Sequence, residues 1–524
     1  MEKLPLGIQL FETLKLSRPS KELSYKCSVL FLTYISFASY HMARKPLSIV
    51  KNSEQFVNCS RSVCSSWVTE LEGKSEDEAK TSLGLLDTTY LVSFALFMFL
   101  SGPVAERVDL RLFLSLGMLG SGIFTSLIGL AYGARIHSIW YFIAMQILSG
   151  LFQTTGWPGV LSIVANWFGK GRRGLIMGAW YSHTFIGNIL GAIVAGIFAD
   201  DNWGLSFIIP GIIMVLIGVL LFLFLVPDPS LVGLSPLVYA SEYHWDSASP
   251  SSASSSTSIT QFPSRRSSPA LLKIENGKSC SDLLLSDSES EPLLLHEDQA
   301  IGFWGALKIP GVVEYSLCLF FAKLVVYTFM FWLPNYINDT SSLDASSSAN
   351  LSTVFDVGGI LGAVLAGLIS DWSGMSATTC TVMFLSSVPS MILYQYLQAG
   401  LCPLSQIDGA PIFNTCYALN VALLILTGLL VNGPFALILT VVSADLGTHQ
   451  SLRGSKKALA TVSAIIEGTA SVGAAVGPSL AGWLADDGEW GNVFSMMVVA
   501  DAAAALLLAR IVVQEIKTCS FKDK

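Results

Sequence analysis

The sequence predicts an all-α membrane protein of twelve transmembrane helices in two pseudo-symmetric six-helix halves. Three observations predict it. The 524 residues are 52% hydrophobic and only 13% charged, with a mean hydropathy of +0.58, a profile foreign to soluble domains. Twelve runs reach the length of about 20 mostly apolar residues that crosses a bilayer. A long polar stretch divides those runs into six and six.

The runs lie at 26–45, 82–105, 110–133, 139–167, 174–199, 204–226, 312–337, 351–371, 378–398, 415–443, 457–485 and 490–513. They are rich in glycine, which membrane helices tolerate. Residues 1–24 are polar and partly basic, and the apolar run after them is too long for a signal peptide. With both termini in the cytoplasm, most Lys and Arg fall on the cytoplasmic side, as membrane topology favours. The exceptions are Arg135 and the cations from Arg44 to Lys80. The first of these, Arg44 and Lys45 in "SYHMARKPLSIV", sit together at the far end of span one. Cys59 and Cys64 share the loop that follows, and both a disulfide and two free thiols remain open there. The net charge of −8 carries little information about partners, because much of the acid lies in the central polar stretch.

That stretch, 227–307, contains "SASPSSASSSTS" and "SDSESEP" and has little hydrophobic periodicity. It reads as a disordered cytoplasmic linker between an N-terminal half, 1–226, and a C-terminal half with its tail, 308–524. "RRSSP" (265–269) has the form of a phosphorylation site. "ESEPLL" (289–294) has the acidic-dileucine form of a sorting signal, with Leu293 and Leu294 as the adaptor contacts.

The halves repeat each other. "GNILGAIVAGIFAD" in span five and "GAAVGPSLAGWLAD" in span eleven align Gly187, Gly191, Gly196 and Asp200 with Gly473, Gly477, Gly482 and Asp486. Glycines four apart let helix backbones approach closely. "GPVAERVDLR" (102–111) after span two and "GLISD" (367–371) ending span eight share a Gly-x-x-x-acid pattern at matching loops.

Ionisable residues inside spans are costly to bury and therefore point to function. They are Arg44, Lys45, Asp87, His183, Lys323, Asp356 and Glu467. Cations on spans one and seven, the matching helices of the two halves, make an anion site if both face the interface near the midplane. Arg offers a fork that fits phosphate and Lys a point charge. The competing reading has Arg44 and Lys45 reaching back to the headgroups. Adjacent residues point about 100° apart on a helix, so both cannot do so comfortably, and Pro46 interrupts regular helix there. Tyr40 precedes Arg44 by one turn and shares its face. Lys323 is too deep to reach the headgroups, and Glu467 or Asp356 is its candidate partner; Asp87 is a third charge-balancing acid. Gln153 and Trp157 on span four and Asn188 on span five are candidate polar walls, although "GWP" also shapes helix bends. There is no metal-ligand or nucleophile constellation, so neither an enzyme nor a cofactor is expected.

Twelve spans in two halves, with Gly102, Glu106, Arg107 and Arg111 after span two, resemble the major facilitator superfamily. In that family the loop helps latch the halves. The second copy keeps Gly367 and Asp371 but lacks the basic positions, which implies a weaker latch there. "YHMARKPLSIVK", "GLFQTTGWPGV", "NWFGKGRRGLIMG", "SHTFIGNILG", "FAKLVVYTFMFWLPNYI", "FDVGGILG" and "SADLGTH" together resemble the sugar-phosphate exchangers. This is the organophosphate:phosphate antiporter branch, which includes glycerol-3-phosphate transporters and glucose-6-phosphate exchangers. The resemblance implies that Arg44 grips phosphate, that His183 assists and that Lys45 matches the second basic position of span one. At span seven the bacterial members carry an Arg where Val326 stands. Lys323, with Tyr327 one turn on, lies nine residues before Trp332. It serves either the phosphate or the organic part of the substrate.

The implied function is exchange of a phosphate ester, glycerol-3-phosphate or hexose phosphate, for inorganic phosphate by alternating access. The alternatives are a proton-coupled carrier of another organic anion and a non-transporting membrane scaffold or sensor. Asn58, Asn338 and Asn350 open glycosylation strings on the non-cytoplasmic side and suit an endomembrane location, with the plasma membrane as the other option. The linker composition cannot bury enough apolar surface to fold. Deleting residues 245–300 should therefore preserve exchange in liposomes and alter location in cells. Loss of exchange in a folded deletion protein would give the linker a part in the cycle.

Overall fold

A computed structural model of the chain describes residues 5–13, 21–50, 56–60, 63–69, 76–168, 173–198, 201–234, 302–341, 345–398, 411–447, 458–485 and 490–522. Leu293, Leu294 and the "RRSSP" string lie outside the described residues. The first half runs α1 (Leu6–Thr13), α2 (Lys21–Arg44), α3 (Pro46–Val50), a hairpin of β1 (Val57–Ser60) and β2 (Val63–Ser66), α4 (Glu76–Ala105), α5 (Leu110–Ala134), α6 (Ile139–Gln153), α7 (Gly156–Trp167), α8 (Arg173–Tyr181), α9 (His183–Phe198) and α10 (Trp203–Phe224). The second runs α11 (Phe303–Leu307), α12 (Val312–Thr340), α13 (Ala345–Ser373), α14 (Ser376–Tyr396), α15 (Pro411–Leu437), a π-helical turn, α16 (Ser443–Leu446), α17 (Ala458–Leu484) and α18 (Trp490–Lys522). The helices on both sides of the central stretch form one compact unit.

Ten helices among the described residues are long and apolar enough to cross a membrane. The other two expected spans are helical but fall short, each for a physical reason. Span one is α2 continued by α3 across a bend at Lys45, before Pro46. It carries many polar residues, and Thr33, Ser36 and Ser39 are buried, with hydroxyls that bond to carbonyls of their own helix. Span four breaks between Gln153 and Gly156 into α6 and α7. The bend expected from "GWP" is therefore real. In α7, Pro158 lies within the first turn, where its missing N–H breaks no intrahelical bond.

The glycine repeat is a packing repeat. A Cβ at Gly187 would collide with the carbonyl oxygen of Ala38, and one at Gly191 would lie 2.5 Å from that of Met42, one turn along α2. In the second half, a Cβ at Gly473 would collide with the carbonyl oxygen of Phe320, and one at Gly477 would lie 2.5 Å from that of Leu324, one turn along α12. Span five therefore seats on span one as span eleven seats on span seven, by the same two glycines. The third pair does not follow. Gly196 faces open space, and Gly482 only approaches the Trp332 ring.

Two elements were not expected from the sequence. Helix α1 packs on the end of α10, where a Cβ at Gly7 would collide with the Phe224 ring. The β1–β2 hairpin sits between spans one and two, and its register sets Cys59 opposite Cys64. Phe56, beside the hairpin, is buried with Val50, Phe142 and Trp203 in a small core at that end of the first half.

Replacing Gly473 by Ala should lower the thermal midpoint of the purified protein in detergent, because overpacking a tight contact costs about 1–3 kcal/mol. Gly196→Ala should leave the midpoint unchanged, since nothing lies within 4 Å of a Cβ there. Equal midpoints for the two variants would contradict the packing repeat.

Candidate functional site

Helices α2, α4, α6, α7, α8 and α9 of the first half and α12, α13, α15 and α17 of the second enclose a cavity of about 760 Å³, open solvent included. Arg44, Gln153, Trp157, His183 and Asn188 line it from one half, and Lys323, Tyr327, Asp356 and Glu467 from the other. Tyr40 is also in its wall. Lys45, about 100° round the helix from Arg44, lines a neighbouring cavity instead. Asp87 lies in α4, and its side chain is outside the described part of the structure.

Arg44 is held by neutral groups. Its Nε donates to the Gln153 side-chain oxygen at 2.8 Å, and the Tyr90 hydroxyl donates to the same oxygen. The guanidinium lies over the Phe94 ring at 4.9 Å and the Tyr90 ring at 5.7 Å from the centroids, an arrangement that favours a desolvated cation. Among the described residues, no carboxylate lies within ion-pair distance of Arg44.

Lys323 is paired. Its Nζ lies 2.6 Å from Glu467 Oε1 and donates to Ser471 Oγ at 3.0 Å. Lys323 is 3% exposed and Glu467 5%. Of the two candidate partners the structure selects Glu467, which stands one turn before Ser471 on α17. The other carboxylate oxygen of Glu467 is buried without a hydrogen-bond partner. Four further polar atoms of the cavity wall, the Tyr40 hydroxyl, Trp157 Nε1, His183 Nε2 and Asn188 Oδ1, are also buried and unpartnered. Such groups are costly unless something pairs with them.

His183 lines the cavity from within an aromatic box. It is 0% exposed, and the rings of Trp180 and Phe37 lie 4.3 and 4.9 Å from it. Its Nδ1 lies 3.2 Å from the Thr184 hydroxyl, which lies 3.3 Å from Nε2 of His41. A second imidazole, that of His41, also lines the cavity, and the sequence reading missed it. The signal was available, since His41 lies three residues before Arg44 on the same helix face. Tyr90 and Phe94, which orient Arg44, were also missed.

The match to the Major Facilitator Superfamily covers residues 74–455. Glucose-6-phosphate exchanger SLC37A2 of Mus musculus is 46% identical over 508 residues, 95% of this chain and 94% of that protein. The protein of that name from Danio rerio is 45% identical over 530 residues, 99% and 97% of the two chains. Glucose-6-phosphate exchanger SLC37A1 of Homo sapiens is 41% identical over 552 residues, 98% and 97%. The chain belongs to the sugar-phosphate exchanger branch of the major facilitator superfamily.

The loops that carry the superfamily resemblance meet across the halves, at the end of the bundle where α10 ends and α11 begins. Glu106 Oε1 accepts the backbone N–H of Thr461 in the first turn of α17 at 2.9 Å. Asp371 Oδ2 accepts the backbone N–H of Leu175 in the first turn of α8 at 3.0 Å. First-turn N–H groups lack intrahelical acceptors, and the helix dipole favours an anion there. A Cβ at Gly102 would lie 2.5 Å from Ala464 Cβ, and one at Gly178 would lie 2.5 Å from the Ala363 carbonyl oxygen, so this end is shut. The weaker second latch implied by the sequence has no counterpart at the carboxylates, which make equivalent bonds. The basic positions differ in kind: Arg107 donates to the Pro103 carbonyl of its own helix, and Arg111 lies 3.7 Å from Asp109.

The Lys323–Glu467 pair predicts a thermodynamic cycle. Breaking a buried pair from one side costs about 3–5 kcal/mol, while replacing both partners by apolar groups is often neutral. Lys323→Met and Glu467→Leu should each lower the thermal midpoint in detergent, and the double variant should recover most of the loss. Additive losses would mean that the two residues are not coupled.

Proposed function

We propose that the chain is a multi-pass membrane antiporter that exchanges a phosphate ester for inorganic phosphate by alternating access, and is not an enzyme. The observation that carries this reading is Arg44, a half-buried cation in the interhelical cavity without a carboxylate partner among the described residues. The names of the relatives, glucose-6-phosphate exchangers, favour a hexose phosphate over glycerol-3-phosphate. The proton-coupled carrier and the scaffold are not favoured.

Charge balance supplies the mechanism. Arg44 and Lys323 against Glu467 leave the empty site with one uncompensated positive charge. A phosphate ester carries between about one and two negative charges near neutral pH. Its phosphoryl oxygens fit the fork of Arg44, while Lys323 sits across the cavity, held by Glu467 until the anion shares it. Tyr327 and Asn188 add polar contacts, and His183 acts through Thr184 on His41. Lys45 and Asp356 add a cation and an acid near the site. Moving the empty site through a low-dielectric interior is costly, and moving the loaded one is less so. That difference makes transport an exchange, one phosphate compound for another.

The termini and the Glu106–Asp371 end are read as cytoplasmic, with Glu106 and Asp371 as the latch that closes that side. The membrane is read as endoplasmic reticulum, vacuolar or endosomal. Residues 227–307 are read as a linker between two transport halves, with Leu293 and Leu294 as a sorting-adaptor contact.

The test is counterflow in liposomes loaded with phosphate. Arg44→Ala should lower exchange by about a hundredfold or more, the scale of an unmatched charge of about 3–5 kcal/mol. Arg44→Lys should also be poor, because it loses the fork. Normal exchange by folded Arg44→Ala protein would remove Arg44 from the site.

A further inference from the structure

The neighbouring cavity, about 690 Å³ with open solvent included, shares His41, Arg44, Tyr327 and Met330 with the first. Arg44 therefore stands in the wall between the two. The chemistry on its two sides differs. The first cavity holds the carboxylates Asp356 and Glu467. Among the described residues the second has no carboxylate in its lining; beyond Arg44 and Lys45 its described polar groups are mostly neutral amides and hydroxyls, with aromatic faces. Gln146, Ser149 and Thr125 supply the first kind, and Tyr90, Phe207 and Phe331 the second. Neutral donors and acceptors beside aromatic rings suit a polyhydroxylated ring, which has hydroxyls at its edges and C–H groups on its faces.

Gln146 gives the cavity its own indication of a ligand. The residue is 9% exposed and lines the cavity, yet its amide has no hydrogen bond to any described residue. An amide offers two donors and two acceptor lone pairs, and those of Gln146 open onto the cavity, where a ligand can pair with them. The nearby Thr125 and Ser149 hydroxyls are 3.4 Å apart, a long bond that a ligand hydroxyl can replace. Gln146, Ser149 and Gln153 follow one another at i, i+3 and i+7 along one face of α6. Gln153 holds Arg44 at one end of this stripe, and Gln146 lies about 10 Å along the axis at the other. One helix face thus joins the phosphate-binding group to an unpaired amide, at the length scale of a phosphorylated sugar rather than of phosphate alone.

We propose that the second cavity is the sugar subsite of the exchanger, with the ring directed to Gln146, Ser149 and Thr125 and the phosphoryl group on Arg44. The inference rests on the phosphate-ester reading above and narrows it to esters of a polyhydroxylated ring, which distinguishes them from three-carbon esters.

Counterflow with purified protein in phosphate-loaded liposomes tests it, with glucose 6-phosphate, glycerol-3-phosphate and inorganic phosphate as probes. Gln146→Leu should raise the half-saturating concentration of glucose 6-phosphate at least tenfold more than that of inorganic phosphate, with glycerol-3-phosphate between them. Ser149→Ala, a smaller change in the same subsite, should shift the three probes in the same order and serves if Gln146→Leu does not fold. Equal shifts for all three probes, or no shift for any, would overturn the subsite. Wild-type protein that exchanges none of the probes would overturn the phosphate-ester reading itself, a result separable from the order of shifts among variants.

Discussion

The structure depends on one unbalanced charge. Arg44 is half-buried in the cavity between the halves, and the described groups that hold it are an amide oxygen and two aromatic rings rather than a carboxylate. These contacts fix the direction of the guanidinium without neutralising it. A carboxylate in the place of Gln153 would neutralise the cation and compete with an arriving anion. The opposite choice is made across the cavity, where Glu467 neutralises Lys323 at 2.6 Å. One wall thus presents the Arg44 cation, while the other carries the Lys323–Glu467 pair together with Asp356. An anion that binds Arg44 gains more than it would from two preformed ion pairs, which it would first have to break.

The two halves obey their internal symmetry where they pack and depart from it where they bind. Gly187 and Gly191 on one side, and Gly473 and Gly477 on the other, seat span five on span one and span eleven on span seven through carbonyls one turn apart. Glu106 and Asp371 each cross to the first turn of a helix in the opposite half. These contacts involve backbone atoms, so they survive wide divergence of side chains. The cavity is built from side chains and has no such constraint. Arg44 on α2 faces Lys323 on α12, yet only Lys323 has an acid beside it, and the aromatic box around His183 lies in the first half.

What could be read in the sequence follows the same division. Buried charges and glycine spacings are visible because each is costly or sterically specific, and Arg44, Lys323, Glu467 and the four packing glycines were found that way. Neutral groups that act through position were harder to see. Tyr90 sits in an apolar run like any membrane tyrosine, and only the fold brings its hydroxyl to Gln153. His41 was hidden beside the stronger signal of Arg44, while His183 drew attention by its motif and lines the same cavity, joined to His41 through Thr184. Span one reads as a weak span because its polar residues are buried, as Thr33, Ser36 and Ser39 are, or line the cavity, as Tyr40, His41 and Arg44 do. Helix α1 and the β1–β2 hairpin lie in polar segments whose order comes from docking, which periodicity does not reveal.

In the exchange proposed above, the Glu106 and Asp371 contacts and the charge of Arg44 would set opposing demands on the cycle. Each carboxylate cap on a helix N-terminus is worth about 0.5–2 kcal/mol, so the two caps that hold the Glu106–Asp371 end shut contribute a few kcal/mol together. Moving a two-state equilibrium from nearly all of one state to nearly all of the other takes about 5.5 kcal/mol of differential binding. Closure at this end is therefore strong enough to define a state and weak enough for a ligand to reverse. The uncompensated charge of Arg44 acts at a different point. In the proposed cycle it would raise the energy of an intermediate shut at both ends and empty more than that of an open state, where water could reach the guanidinium. A latch alone would let the empty protein cross as readily as the loaded one. A charge alone would bind anions without alternating. Exchange needs both, a barrier that only an anion lowers and end states close enough in energy to be visited in turn.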